Sequence, residues 1–392
     1  MELAVYFDPV EIEKINFPSS RKPKLLDKSL IHTADRGFPD MEAVTIALIG
    51  VPEERGSVNN KGCAQGPDHI RQQLYQLFPG EWNLILGDLG NIKRGHSLKD
   101  TFFALSTICE ELLKAKVIPL ILGGSQDITW GVYQSFQQLG QIINITSVDS
   151  RFDLGEEEEA LTSESYLSKI LLQKPNYLFN YTNIGYQSYY VDRDTEKLMN
   201  KLYFDIWRLG NIRADIEEAE PLVRNADLLT IDISAIRQSE APGNRNAGPN
   251  GFSGEEMCQI MRYAGLSDKL SVVGLFEYNP SLDRNAQTAA LMAQMIWYFC
   301  EGYTHRKKDF PYRDERKKDY VRYVVPVEGH NEALIFYKSK KSNRWWMEVE
   351  CPSNAKARYE RHFMLPCTYK DYETACANDI PDRWWKAYQK MM

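Results

Sequence analysis

The sequence predicts an α/β protein built on a mostly parallel sheet covered by helices on both faces. Three observations carry this. Short, continuous apolar runs recur from Ala43 to about Thr304, amphipathic stretches of helical length separate them, and most of the runs end in Gly, Asp or Pro. Strands buried on both faces read as unbroken apolar runs, and their alternation with helices requires parallel crossovers.

The apolar runs are 45–51, 84–90, 117–124, 142–150, 177–186, 228–236 and 270–280, with a shorter one at 203–209. They predict a sheet of about eight strands. Helices are expected at Asp68 to Leu77, Thr101 to Ala115, Glu164 to Leu172, Glu255 to Tyr263 and Ala286 to Phe299. Residues 1–42 show no period and contain Pro18 and Pro23, so they read as an irregular lead-in with at most a short helix. The main domain then spans 43–304. From 305 the character changes to a charge run, HRKKDFPYRDERKK, followed by strand-like YVRYVVPV and EALIFYKSKKSNRWWMEVE. Residues 305–392 are therefore expected to form a small C-terminal α+β extension. Four of the eight tryptophans lie there as two WW pairs, which are costly to leave in water. The tail is expected to fold onto the main domain or a neighbouring subunit, and it is a candidate surface for a protein partner. The acidic run Glu156 to Glu159 reads as a solvated loop that could also line a pocket mouth.

Composition excludes several classes. Of 392 residues, 43% are hydrophobic and 26% charged, ordinary for a globular protein. A net charge of -7 carries no nucleic-acid signature. The N-terminus lacks the basic and apolar regions of a signal peptide, and no run of apolar residues is long enough to span a membrane. Seven scattered cysteines without a CxxC pair predict reduced thiols and a cytoplasmic location.

Ligands of open α/β sheets bind beyond the carboxyl ends of the strands. There the sequence places Asp149 and Asp153, then Asp232, then Glu277, each just past a strand. Carboxylates converging at one sheet edge are costly unless a cation or metal pairs with them.

The motifs around these residues resemble the ureohydrolase family, which includes the arginases and formimidoylglutamases. GVPEERGSVNNKGCAQGPDHIR (50–71) resembles its opening segment. LGGSQD (122–127) aligns with G-G-D-H-S, SVDSRFDLG (147–155) with D-A-H-x-D, TIDISAIRQSEAPG (230–243) with the D-x-D segment, and GLFEYNP (274–280) with E-x-N-P. The F-D-L ending is most similar to the formimidoylglutamase branch. The resemblance covers about 43–304 and implies a three-layer, arginase-like fold, with a homo-oligomeric assembly.

In that family six ligands hold two Mn²⁺ ions, which activate water for attack on a guanidinium or formimino carbon. The resemblance places those ligands at Gln126, Asp149, Arg151, Asp153, Asp232 and Ser234. Three are carboxylates, Asp149, Asp153 and Asp232. The other three depart from the pattern, and none of the six histidines takes a ligand position. A guanidinium cannot ligate a metal. Arg151 is therefore expected to point into the pocket, pair with Asp149 or Asp232, and stand in for the second cation. Glu277 aligns with the acidic residue that receives substrate, and Arg151 is a candidate partner for it too.

These departures imply a chain that has lost the dinuclear manganese centre. It would serve as a non-catalytic pseudoenzyme of structural, scaffolding or ligand-binding role, without a cofactor. The alternative is a formimidoylglutamase-like hydrolase acting on C–N bonds of linear amidines, with one Mg²⁺, Ca²⁺ or Mn²⁺ on Asp149, Asp153 and Asp232. Three carboxylates and the Gln126 amide form an all-oxygen set suited to a hard cation.

Overall fold

Eight of the strands in the main sheet arise where continuous apolar runs meet a helix on either side. The computed structural model describes residues 3–14, 22–155, 160–311, 318–330, 332–351 and 358–392. The acidic run Glu156 to Glu159 and positions 312–317 of the charge run lie outside the described residues.

In chain order the strands are β1 (Phe7–Asp8), β2 (Leu30–Ile31), β3 (Ile46–Val51), β4 (Leu86–Ile92), β5 (Ile118–Gly123), β6 (Ile143–Val148), β7 (Leu178–Tyr186), β8 (Asp205–Arg208), β9 (Leu228–Asp232) and β10 (Val272–Phe276). They form a ten-stranded sheet in the order β1-β4-β3-β5-β10-β9-β6-β7-β8, with β2 also beside β4. All pairings are parallel except β1 with β4. The sheet is wider than the expected eight strands because the lead-in lends two dipeptides to its β4 edge.

The pleat divides the core in two. In β3, Ile46 and Leu48 join one apolar cluster with helices Gly66–Leu74, Gly254–Leu266 and Gln287–Thr304. Ala47, Ile49 and Val51 join another with helices Leu98–Lys114, Ile128–Gln138 and Tyr166–Leu172. Successive side chains of a strand face opposite sides, so one apolar run feeds both layers. The result is a three-layer α/β/α sandwich. Helix starts follow local chemistry: Ser97 with Asp100 and Ser253 with Glu256 form reciprocal capping boxes.

After the helix Gln287–Thr304 comes a separate antiparallel sheet of β11 (Tyr320–Val325), β12 (Leu334–Ser339), β13 (Trp345–Glu348) and β14 (Met364–Cys367), in that order. Helices Tyr369–Cys376 and Asp382–Met391 follow it. Phe336, Met347, Leu365 and Trp384 form its core. Three of the four tail tryptophans, Trp345, Trp346 and Trp384, are buried, and Trp385 is exposed.

This extension docks beneath the amino ends of the main strands. Arg361 pairs with Asp227 just before β9, the His362 ring approaches the Ile142 carbonyl before β6 at 3.2 Å, and Lys386 donates to the Phe204 carbonyl before β8 at 3.3 Å. From the main domain, buried Arg224 donates to the Trp345 carbonyl at 3.1 Å and lies 4.3 Å from the Trp346 ring centre. Among the described residues, no helix is long and apolar enough to cross a membrane.

Candidate functional site

Four neighbouring strands, β5, β10, β9 and β6, end side by side at the carboxyl edge of the sheet. Past those ends stand Gln126, Glu277, Asp232 and Asp149, with Asp153 four residues further on; all five are buried. The sheet order thus gathers residues that are up to 151 positions apart in the chain.

Their hydrogen bonding is incomplete in a consistent way. Asp149 Oδ1 accepts the Arg151 N–H at 2.9 Å and Asp232 Oδ1 accepts the Ser234 N–H at 2.7 Å. Asp149 Oδ2, Asp153 Oδ2 and Gln126 Oε1 are buried and receive no donated hydrogen bond. The Gln126 side-chain nitrogen faces the Tyr166 hydroxyl at 3.4 Å. Burial pushes the Asp149 carboxyl up to about 8, and the charge of Asp232 adds to the rise. Asp153 is driven well above the usual range by burial and then by Asp149. Burial lifts Asp232 to about 6. Three carboxylates that hold their negative charge so reluctantly are short of a cation.

Arg151 does not supply it. Contrary to expectation, its guanidinium pairs with neither Asp149 nor Asp232. Nη1 reaches Glu164 Oε1 at 3.2 Å, the guanidinium lies 5.0 Å from the Tyr190 ring centre, and the side chain is 35% exposed. The backbone explains the turn outward. The Arg151 N–H is fixed by Asp149 and its carbonyl by Asn183 Nδ2 at 2.7 Å, while the rim offers both a carboxylate and an aromatic face. An exposed pair also avoids the desolvation that a guanidinium would suffer in the pocket.

Nor does Arg151 pair with Glu277. Glu277 Oε2 accepts Asn60 Nδ2 at 2.7 Å, and Oε1 accepts the Gln126 N–H at 2.9 Å. Asn60 and Asn244 side chains also donate to the Glu277 carbonyl, at 2.9 and 2.7 Å. Glu277 holds φ at +66°, a conformation rare for a residue with a side chain, and this amide network holds it there. Burial, then the charge of Asp232, raises its carboxyl well above the usual range. The sequence reading missed Asn60 and Asn244. Both lie in or next to segments that resemble the family, NNKG and APGNRN, so the signal was position rather than residue type.

The glycine pair before Gln126 has a physical cause. A Cβ on Gly124 would stand 1.9 Å from the Glu53 carbonyl oxygen, where the loop after β3 crosses the end of β5. Gly124→Ala is expected to cost about 1–3 kcal/mol in stability, as overpacking does. It should also displace Gln126 and lower activity. Chemical denaturation beside an activity assay checks both; a variant as stable and active as wild type would contradict this reading.

As the side chains stand, no three His, Cys, Asp or Glu groups among the described residues close into a metal cluster. The orphaned atoms carry more weight here, because one of them is the amide oxygen of Gln126 and two belong to carboxylates that press on each other. Buried, cation-starved oxygens fit a single hard ion. The positions of Arg151 and Ser234 do not offer a second ion a comparable set, since one is a guanidinium and the other a neutral hydroxyl. Beside the site a cavity of about 210 Å³ opens, lined by Arg151, Asp153, Glu164, Tyr190, Asp192 and Thr195 among others.

Comparison with known proteins identifies the family of this fold. The arginase family matches residues 44–301. Formimidoylglutamase of Hahella chejuensis is 29% identical over 278 residues, covering 64% of this chain and 83% of the relative. Formimidoylglutamase of Bacillus subtilis is 24% identical over 280 residues, covering 65% of this chain and 86% of that protein. The crystal structure of the Bacillus subtilis enzyme superposes with a TM-score of 0.66 at 21% identity, over 74% of this chain and 95% of that one. Trypanosoma cruzi formiminoglutamase, solved with manganese, gives 0.64 at 18% identity, over 72% and 99%. At such identities the structural likeness establishes the fold. The relatives, named as enzymes, overturn the expectation of a non-catalytic pseudoenzyme and favour its hydrolase alternative. The part of that expectation that had Arg151 fill the pocket fails as well, since its guanidinium lies at the rim. The chain belongs to the arginase family.

Proposed function

We propose that this chain hydrolyses the C–N bond of a linear amidine, in the manner of a formimidoylglutamase, with one divalent cation held by Asp149, Asp153, Asp232 and the Gln126 amide oxygen. The observation that carries this is the set of buried, unpartnered oxygens at neighbouring strand ends. A hard cation such as Mg²⁺, Ca²⁺ or Mn²⁺ bound there would polarise and position a water for attack. The remaining work falls to the chain. Glu277, fixed by Asn60 and the Gln126 N–H, offers a buried carboxylate to the amidinium. A cationic substrate relieves the cost of ionising it. Burial of the strand ends excludes bulk water and so strengthens that pairing. Water adds to the formimino carbon, the bond from that carbon to the substrate nitrogen breaks, and the departing nitrogen takes a proton. The products are formamide and a free amine. The buried thiols of Cys63, Cys109, Cys258, Cys300 and Cys367 suit a reducing cytoplasm.

The test is direct. Full-length protein is incubated with formimidoylglutamate and each of Mg²⁺, Mn²⁺ and Ca²⁺, and formamide and glutamate are measured. Equimolar release with one metal bound per chain is expected. No release with any of the three overturns the reading.

A further inference from the structure

We propose that Arg151 is the specificity-determining residue that reads a carboxylate of the substrate, so that the enzyme prefers amidines bearing an acidic group. This rests on the function proposed above.

Four features point to it. Arg151 lines the cavity of about 210 Å³ that opens beside Asp153, and it is the cation among those lining residues. Its backbone is pinned on both sides, by Asp149 and Asn183, so only the side chain is left to adapt. The guanidinium has five donors, yet among the described residues it makes one carboxylate contact, at 3.2 Å, to Glu164. Tyr190 supports its face at 5.0 Å, which leaves its edge open to a bidentate acceptor.

Charge in the cavity favours the role. Glu164 and Asp192 line it together with Arg151. An acidic substrate entering there is repelled unless a cation meets its carboxylate. Arg151 stands at the mouth, two residues past Asp149, which accepts its backbone N–H at 2.9 Å. Glu164 occupies the guanidinium in the free protein. Both side chains of that pair are more than one-third exposed, so exchanging one carboxylate for another costs little. Substrate then takes the place of Glu164, its acidic end at the rim and its amidine end toward Glu277.

The experiment compares formimidoylglutamate with a formimidoylated alkylamine that carries no carboxylate, in wild type, Arg151→Gln and Glu164→Gln. Binding of glutamate by calorimetry, with circular dichroism to confirm folding, adds a readout independent of turnover. Arg151→Gln is expected to raise KM for formimidoylglutamate about 10- to 100-fold, the effect of losing a charge-assisted contact, with kcat little changed. The neutral amidine should be equally poor with either protein. Glu164→Gln should act in the opposite sense and tighten binding of the acidic ligand, because a competitor is removed. A merely structural ion pair predicts that both variants lose equally with both substrates, and that result overturns the proposal. Should wild type turn over neither amidine, the function above fails on its own. The calorimetric arm still decides this inference: glutamate binding lost in Arg151→Gln supports it, and unchanged or absent binding overturns it.

Discussion

Asp149→Asn is expected to lower kcat/KM on an amidine substrate by about 10³-fold or more and to abolish stoichiometric metal uptake, while the fold stays intact. The side chain is isosteric, and its oxygen can still accept the Arg151 N–H that Asp149 Oδ1 accepts at 2.9 Å. What disappears is one negative charge from a buried trio. Asp149 is linked to both others, since the charge of Asp232 raises its carboxyl and Asp149 in turn raises Asp153. In chelator the variant should therefore be as stable as wild type or more so, because the carboxyl, raised to about 8, must take up a proton or bear a buried charge at neutral pH and the amide need do neither. Activity and metal-free stability moving in opposite directions is the signature of a site strained to hold a cation. Melting curves in chelator beside elemental analysis decide it: a variant that still binds one metal per chain and keeps its activity refutes the assignment.

Asp227→Asn should be the most damaging change away from the site, costing about 3–5 kcal/mol, because it strands a buried charge. Asp227 is fully buried before β9, receives the Asn144 N–H at 2.9 Å, and lies 3.7 Å from the Lys269 ammonium and within a salt bridge of Arg361. Burial alone would raise its carboxyl, yet the charges of Lys269 and Arg361 hold it below its ordinary value. Burial already pushes the Lys269 amine down to about 8 despite its partner. Without that partner the amine is pushed lower still, so the deficit should be full at low pH and narrow as pH rises toward 8, where wild-type Lys269 also loses its proton. The extension should also loosen, because Arg361 loses its anchor. Urea denaturation and limited proteolysis of the tail would show both effects; an unchanged midpoint would refute the argument.

Much of the fold was legible because burial leaves a direct imprint. Each of the eight apolar runs in the main domain became a strand, since parallel strands covered on both faces must be apolar throughout. Spatial order was not legible. That β10 and β9 lie between β5 and β6 depends on long crossovers, and this order is what brings Glu277 and Asp232 between Gln126 and Asp149. The helix Ile128–Gln138 escaped because eight of its residues are buried, which erases the polar stripe that marks an amphipathic helix. At the site, position was readable and direction was not. Arg151 stands where the alignment put it, but its rotamer is chosen by Glu164 and Tyr190, whose proximity is a property of the folded chain.

The place where the extension docks has a consequence for how the chain is made. Arg361 must find Asp227, 134 residues earlier, and His362 must find the Ile142 carbonyl, 220 residues earlier. Contacts of such separation close late, because the entropy of the intervening loop is lost before they form. A nascent chain therefore completes the carboxyl end of its sheet from residues already synthesised. The opposite end, with the starts of β6, β7, β8 and β9, waits for the extension to be made. During that interval Lys269 is the only one of the two cationic partners of Asp227 yet made, and the Ile142 carbonyl before β6 still lacks its His362 neighbour. Assembly thus runs from the chemistry downward, and the final step is a clasp closing beneath a site that is already formed.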